Sequence, residues 1–371
     1  MTYAVGIMSG TSLDGVDVAL VDIENNYELV DFKSYSFESE MKEKIKQSLA
    51  KETSDVELIC SLNFELGYIF GEAVVKICEA NNINSGDLAF VASHGQTVYH
   101  HPKEGGGLVP STLQIGESSV ISEVTKTDVV SDFRYRDMAV GGQGAPIVPY
   151  SEYVLYRSEN KQRILQNIGG ISNATVIPKN GVLTDITAFD TGPGNMIIDE
   201  LCRVFFKKEY DKDGLFAEKG SINKTILDEM MSHAFIKKQA PKTTGREEFG
   251  QQYVAALLEK YPDVPAYDWI RTATLFTAKA IASGVEPFLG VETELIVGGG
   301  GSYNPILIEM LANELPHVKV MIQEDIGYSS DAKEAVAMVV LGDRTMKRLP
   351  SNVPSATGAS RDVILGKITY Y

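Results

Sequence analysis

Phe189-Asp190-Thr191-Gly192-Pro193-Gly194-Asn195-Met196 stands where a strand-like run, Leu183 to Phe189, hands over to a stretch of helical spacing: Ile197, Ile198, Leu201, Val204 and Phe205. Two glycines and a proline at such a junction let the backbone come close to a ligand, and the amides at a helix start attract phosphate. Asp190, at the strand end, repels phosphate but suits a base that takes a proton from an attacking nucleophile. An ordinary loop in which Asp190 caps the helix fits the same residues.

The surrounding order occurs twice. Arg163 to Ile168 is apolar, Gly169-Gly170-Ile171-Ser172-Asn173 is a small-residue loop, Ala174 to Ile177 and Leu183 to Phe189 follow as strands, and then the helix begins. The chain opens the same way. Tyr3 to Met8 leads into Ser9-Gly10-Thr11-Ser12-Leu13-Asp14-Gly15, then Val16 to Ile23 and Glu28 to Phe37, with helices after them. A return of one order after about 160 residues implies an internal duplication. Each loop reads as a phosphate cradle of backbone amides, helped in the first by the Thr11 and Ser12 hydroxyls, so that two hairpins would grip one polyphosphate. A hairpin turn closed by Asp14-Gly15 is the plain alternative for the first loop. Asp17 lies inside an apolar strand and needs a partner there. The strand Glu294 to Val297 ends in Gly298-Gly299-Gly300-Gly301, a run better explained by close approach of a flat ligand such as an adenosine than by packing. Pro305 then starts a helix.

At 371 residues the chain exceeds a single domain of about 150 residues. Its 44% hydrophobic and 23% charged residues are those of a soluble globular protein. A formal net charge of −16 argues against nucleic-acid or anionic-membrane partners, so an anionic ligand must be held by amides, a metal and a few local cations. Cys60, Cys78 and Cys202 are far apart and read as buried thiols in a reducing compartment. The N-terminus carries no signal pattern, and no apolar run approaches the roughly 18 residues of a membrane span. The expected location is cytoplasmic.

Other stretches matter to the site. A long helix with Val56, Ile59, Leu66, Phe70, Val74 and Ile77 along one stripe is core. Leu88 to Ala92 is a buried strand ending in a loop, Ser93-His94-Gly95-Gln96-Thr97. His94, His100 and His101 have no metal-ligand spacing, and polar substrate contacts suit them better than zinc. Arg134 and Arg136, between the strand Val129 to Asp132 and the loop Gly141-Gly142-Gln143-Gly144-Ala145-Pro146, suit an anionic or polyhydroxylated substrate. Leu215 to Ala240 reads as helical and surface-like. Glu334, in a helix from Asp331 to Met346, forms either a capping box with Asp331 or a second carboxylate of the site. The tail closes on a short strand at Val363 to Leu365.

Together these residues resemble the anhydro-N-acetylmuramic acid kinase family, within the sugar kinase, Hsp70 and actin superfamily. The match is carried by Met8 to Asp17, His94-Gly95-Gln96-Thr97, Asp132-Phe133-Arg134 with Arg136-Asp137, Gly141 to Pro146, Asn167 to Asn173, Phe189 to Asn195, Thr244-Gly245-Arg246-Glu247, Val297 to Gly301, and Ser329-Ser330-Asp331 with Glu334. Gly194 departs from the alanine expected in many relatives. The resemblance implies an α/β, duplicated actin/hexokinase-like (ribonuclease H-like) architecture of two domains, 1–135 and 136–371, around a central cleft, with the tail free to return to the first. It implies an enzyme that uses ATP and water to open the 1,6-anhydro ring of 1,6-anhydro-N-acetylmuramic acid, giving N-acetylmuramic acid 6-phosphate in cell-wall recycling. Gly10, Thr11, Ser12, Leu13, Asp14, Gly15, Val16 and Asp17 would bind ATP, with Gly169, Gly170, Asn173, Gly298, Gly299 and Gly300. Asp190 would deprotonate the water that attacks the anomeric carbon, Glu334 would be a second active-site carboxylate, and His94, Thr97, Arg134 and Arg136 would hold the sugar, the arginines at its lactyl carboxylate. Magnesium is implied because ATP's charge must be offset without a P-loop lysine, and Asp14 is the first choice to hold it, through water, with Asp17 behind.

The expected partners are the amino sugar and ATP, with no nucleic acid or membrane, and a homodimer is allowed. An actin- or Hsp70-type ATPase, an ATP-gated regulator, or an ordinary hexose or hydroxy-acid kinase would share the duplicated loops. ATP turnover without sugar, unchanged in Arg136→Ala, would favour the ATPase. The two halves are expected to close on the sugar, and superimposable scattering profiles with and without an ATP analogue plus sugar would refute closure.

Overall fold

The computed structural model describes residues 1–10, 13–240 and 242–371. Contacts within the chain divide it into two units, Met1–Leu155 with Asp331–Tyr371, and Tyr156–Ser330. The boundary thus falls after Leu155, where the sequence placed it at 135. One reason is the buried Asp137, which accepts hydrogen bonds from Gly144 N (2.9 Å), Asn352 Nδ2 (3.0 Å) and Thr357 Oγ1 (2.8 Å) and so staples 135–144 to the tail.

The strands in chain order are β1 (Tyr3–Ser9), β2 (Gly15–Asp22), β3 (Glu28–Ser36), β4 (Val91–His101), β5 (Ser111–Ile115), β6 (Val129–Ser131), β7 (Gln162–Ile168), β8 (Ile171–Ile177), β9 (Thr187–Pro193), β10 (Thr293–Gly298), β11 (Lys319–Ile322) and β12 (Lys367–Thr369). The first unit's sheet runs β12-β6-β4-β1-β2-β3, with β5 on β4; the second's runs β11-β10-β7-β8-β9. In each, three antiparallel strands form a meander whose first strand begins a parallel run with the next two, β4 and β6 or β10 and β11. With the side strand β5 left out of the count, the shared order, third-second-first-fourth-fifth, is the duplicated α/β fold in structural form, of the actin/hexokinase-like kind.

In the first unit, Val5, Ile7, Val16, Val18 and Leu20 pack against the helix Val56–Ala80, whose Leu62, Leu66, Phe70, Val74 and Ile77 are buried. Asp55 starts that helix by accepting from Leu58 N at 2.7 Å, a standard N-cap. By length and mean hydropathy, 1.4 over its richest stretch, this helix is long and apolar enough to cross a membrane, but its apolar stripe lies in this unit's core. On β1, a methyl added at Gly6 would sit 1.9 Å from Ala335 O. Only glycine lets the helix Lys333–Met346 press on the strand so closely, and that fixes Glu334 in its first turn near the end of β1.

The second unit is built round the helix Ala266–Val285, with Trp269, Ile270 and Phe276 buried. Here Leu215 to Ala240 is not surface-like: Ile226, Met230 and Phe235 join the same core. Short helices such as Lys224–Met231 carry too few apolar positions for periodicity to reveal the buried face. The closing strand is β12, not Val363 to Leu365; the latter has no strand pairing, while Lys367–Thr369 pairs with β6.

Candidate functional site

In the first unit, Ser9 Oγ donates to Gln96 Oε1 at 2.7 Å, both buried, and so ties the end of β1 to the middle of β4 just before the first glycine loop. Thr11 and Ser12 lie outside the described residues. Gly10 accepts from Leu13 N across the turn. The Leu13 and Val16 side chains belong to the hydrophobic core, so only their backbone faces any ligand. Gly15 is dictated by packing, since a methyl there would sit 2.2 Å from Tyr35 O. Asp14 is exposed and 4.0 Å from Lys42 Nζ, a surface pair of little energetic weight.

Asp17, opposite Ser34 in the sheet, is half-buried. Burial raises its pKa, the Ser34 hydroxyl opposes this, and the like charges of Asp331 and Asp14 raise it further. Glu334 is likewise pushed up by desolvation, opposed by Lys333 and Arg134 and reinforced by Asp17. Ala332 precedes the helix with no side-chain cap, so the capping box with Asp331 does not form and Glu334 belongs to the carboxylate group. Among the described residues no set of three or more His, Cys, Asp and Glu is arranged to hold a metal ion. The mutually repelling Asp14, Asp17 and Asp331 nonetheless suit a hydrated divalent cation, which takes one or two carboxylates and keeps its waters.

Arg134 Nε and Nη2 lie 3.1 and 2.9 Å from His94 Nε2, and Nη1 donates to Gly144 O at 2.7 Å. A guanidinium only donates, so Nε2 accepts; the His94 proton is on Nδ1, facing Gly95 O at 2.8 Å. Burial and the Arg134 charge hold the His94 pKa down at about 4, and the ring is neutral at pH 7. His94, expected to touch substrate, has both nitrogens engaged and instead aims Arg134. Nor do residues 93–97 form a loop: they continue β4, Gly95 taking a φ of +76°. Arg136 is exposed and lines a separate depression with Arg348, Lys367 and Tyr370. Residues two apart point about 200° apart around a helix axis, so the structure does not bring Arg136 to Arg134.

A cavity of about 280 Å³ beside His94 is lined by Asn63, Ser93, Gln114 and Asp132 among others. Thr97 accepts from Gln114 Nε2 at 3.3 Å, while Ser93 Oγ and Gln114 Oε1 are buried without a partner among the described residues. These polar atoms are natural contacts for a polyhydroxylated ligand. Thr97 and the stretch from Ser93 were expected to meet substrate; Gln114 was not, because it stands in a short strand without a motif.

In the second unit, Asp190 lies within β9 at a register shift, opposite Asn173, which is exposed. Its N–H donates to Lys242 O at 2.9 Å, and its Oδ2 accepts from Thr244 N at 2.8 Å. Burial raises its pKa, and the Thr244 amide restrains the rise. It caps no helix: the helix Met196–Phe206 starts at Asn195 without a side-chain cap. The Gly194, Asn195 and Met196 amides, expected to meet phosphate, donate instead to the carbonyls of Gly170, Gly169 and Gly170. The β7–β8 turn is thereby docked on the helix start. That contact also explains Gly194: a methyl there would sit 2.3 Å from Gly169 O.

The glycine run corrects another expectation. Methyls would meet Gln323 at Gly298, Asn167 and Ile168 at Gly299, and Ile168 at Gly301, all within 3 Å. Packing therefore does explain these glycines. Gly300 differs, with nothing closer than 3.9 Å, and Gly169 and Gly170 are open to 3.5 and 3.8 Å. Those uncovered stretches of main chain are where a ligand could lie against the backbone.

The model of the anhydro-N-acetylmuramic acid kinase family matches residues 2–371. The chain belongs to the anhydro-N-acetylmuramic acid kinase family. It is therefore a sugar kinase, a phosphotransferase that uses ATP. An anhydro-N-acetylmuramic acid kinase of Bacillus cereus is 51% identical over 99% of this chain and 99% of its own length. That of Bacillus thuringiensis subsp. konkukian is also 51% identical over the same shares.

For a sugar kinase, the His94–Arg134 contact yields a prediction. His94→Phe leaves two guanidinium donors without their acceptor, and hydrogen bonds to charged groups contribute about 1.5–3 kcal/mol. Steady-state kinetics should show kcat/KM for the sugar falling about tenfold or more, mainly through KM, with His94→Gln, which keeps an acceptor, closer to the parent enzyme.

Proposed function

We propose that this kinase hydrolytically opens the 1,6-anhydro ring of 1,6-anhydro-N-acetylmuramic acid and phosphorylates the freed O6, giving N-acetylmuramic acid 6-phosphate and ADP. Family membership supports the substrate, and Asp190 supports the chemistry. Its Oδ2 is pinned by the Thr244 amide, while Oδ1 has no hydrogen-bond partner among the described residues. One oxygen is thus fixed and the other is available to a proton, as general-base catalysis requires. The water oxygen bonds to C1 as its proton passes to Asp190, and the C1–O6 bond breaks. O6 then attacks the γ-phosphorus, and the bond from that phosphorus to the ADP oxygen breaks.

Arg134, aimed by His94, would hold the substrate carboxylate, with Thr97 and the orphan Ser93 and Gln114 atoms at its polar groups. The open backbone at Gly169, Gly170 and Gly300 would meet the nucleotide. Asp14, with Asp17 and Asp331 behind it, would hold magnesium through water; the cation would offset phosphate charge. The same reading places the enzyme in the cytoplasm, where ATP is available, and its product in peptidoglycan recycling.

Incubation with ATP, magnesium and the anhydro sugar in heavy-oxygen water, followed by mass spectrometry, tests the proposal. One label at the anomeric hydroxyl and none in the phosphate is expected. A label in released inorganic phosphate, with the sugar unchanged, would reduce the activity to an ATPase.

A further inference from the structure

Lys242 is a buried lysine that the proposed chemistry does not use. It is 8% exposed, yet among the described residues no carboxylate lies within ion-pair distance of its ammonium. The ammonium donates instead to Phe235 O at 3.2 Å and Ile236 O at 3.3 Å and lies 4.6 Å from the Phe235 ring centroid. Burying an ammonium without a counter-ion is costly, so the chain would replace it by an apolar residue unless those bonds did something a methylene chain cannot. Burial and the nearby Lys238 ammonium hold its pKa below the usual lysine range.

What the bonds hold in place is the segment that grips Asp190. β9 is the edge strand of its sheet, and its outer side at Asp190 is covered by 242–244. One end of that segment supplies Lys242 O to the Asp190 N–H, and the other supplies the Thr244 N–H to Oδ2. Thr244 is itself tied down, its Oγ1 donating to Glu248 Oε2 at 2.5 Å, and Lys238 pairs with Glu248 at 3.8 Å. The charged side chains at this segment are Lys238 and Glu248, with Glu247, whose carboxylate folds against Gly245, and Arg246 following it. No other side chain fastens the Lys242 end among the described residues.

We propose that Lys242 is a positioning residue for Asp190: its ammonium, clamped on the Phe235 and Ile236 carbonyls, holds the backbone that pins Oδ2 and so leaves Oδ1 aimed at the reacting water. The inference rests on the reading of Asp190 as the base. It extends that reading to a residue with no atom at the reaction, and a merely structural lysine would leave the titration of Asp190 unmoved.

The test uses the full chain with Lys242→Met and Lys242→Gln. It measures kcat, KM for both substrates, the pH profile, and the Asp190 titration by carboxyl-carbon NMR of aspartate-labelled enzyme, assigned with Asp190→Asn. In Lys242→Met, kcat should fall about tenfold or more with both KM values nearly unchanged. The Asp190 titration and the acid limb of kcat should move upward together, because the Thr244 amide no longer favours the ionised form. Lys242→Gln, which reaches one carbonyl, should shift both in the same direction by less. A folded Lys242→Met enzyme with unchanged kcat and unchanged Asp190 titration overturns the proposal, as does a loss confined to KM. Should circular dichroism show that Lys242→Met does not fold, an unchanged Lys242→Gln overturns it. If Asp190→Asn itself retains turnover, the base reading fails, and the NMR titration still decides whether Lys242 governs that carboxylate.

Discussion

Asp190→Asn is expected to bind ATP and the anhydro sugar like the parent enzyme and to lose about 10³–10⁴-fold in kcat, the upper range of what a positioned base contributes. The amide oxygen still accepts from Thr244 N, so geometry is kept while the proton acceptor is lost. Calorimetric binding together with single-turnover rates checks this; a variant that turns over normally excludes Asp190 as the base. The pH dependence has a defined sign. Burial raises the Asp190 pKa, so the group loses its charge at a higher pH than an ordinary aspartate, whose value is about 3.9. Activity therefore falls as pH drops through the raised value, and this acid limb is absent from the residual rate of the Asn variant. The same shift has a folding consequence. A carboxyl that holds its proton more tightly in the native state than in the unfolded chain lowers stability once pH exceeds both values. At neutral pH the Asn variant should thus melt no lower than the parent, a gain of stability at the expense of activity.

Arg134→Met should cost about 10²–10³-fold in kcat/KM for the sugar, as expected when one partner of a desolvated, hydrogen-bonded ion pair is removed. Its guanidinium is engaged by His94 and Gly144, so it meets a ligand already oriented, with the side-chain entropy largely spent in folding. Removing the cation also strips Glu334 of an opposing charge and leaves Asp17 as its like-charged neighbour, so Glu334 should titrate higher still. Arg134→Lys should rescue little, because an ammonium cannot reproduce the planar fork. Steady-state kinetics with varied sugar, set beside ATP hydrolysis without sugar, reads the result. A sugar KM and kcat equal to the parent's would remove Arg134 from the substrate site.

The duplicated meander was legible because alternating apolar strands and glycine-rich turns are short-range signals that recur in one order. Asp17 was legible as a carboxylate inside an apolar strand, and Asp190 as one at a strand end beside a glycine-rich turn. What escaped depended on groups far apart in the chain. His94 looked like a ligand contact until Arg134, forty residues away, was seen to occupy its Nε2. Arg134 and Arg136 looked like a pair because they are near in sequence, whereas a helical turn sends them apart. The glycine run resembled a ligand platform, yet Gly298, Gly299 and Gly301 answer to Gln323, Asn167 and Ile168, neighbours no local pattern names. Lys242 carried no signal at all, since nothing in its flanks tells a buried lysine from a solvated one.

The tail strand β12, hydrogen-bonded to β6, bears on the order in which the protein matures. The unit from Tyr156 to Ser330 is one uninterrupted piece of chain, so every contact of its core is available as soon as those residues leave the ribosome. Its companion must wait: the helix that lies on Gly6 and the strand that borders β6 are translated only after that piece. During synthesis the nascent N-terminal portion therefore exposes apolar β1 and an unpaired β6 edge, an interval in which chaperone capture or misassociation has its opening.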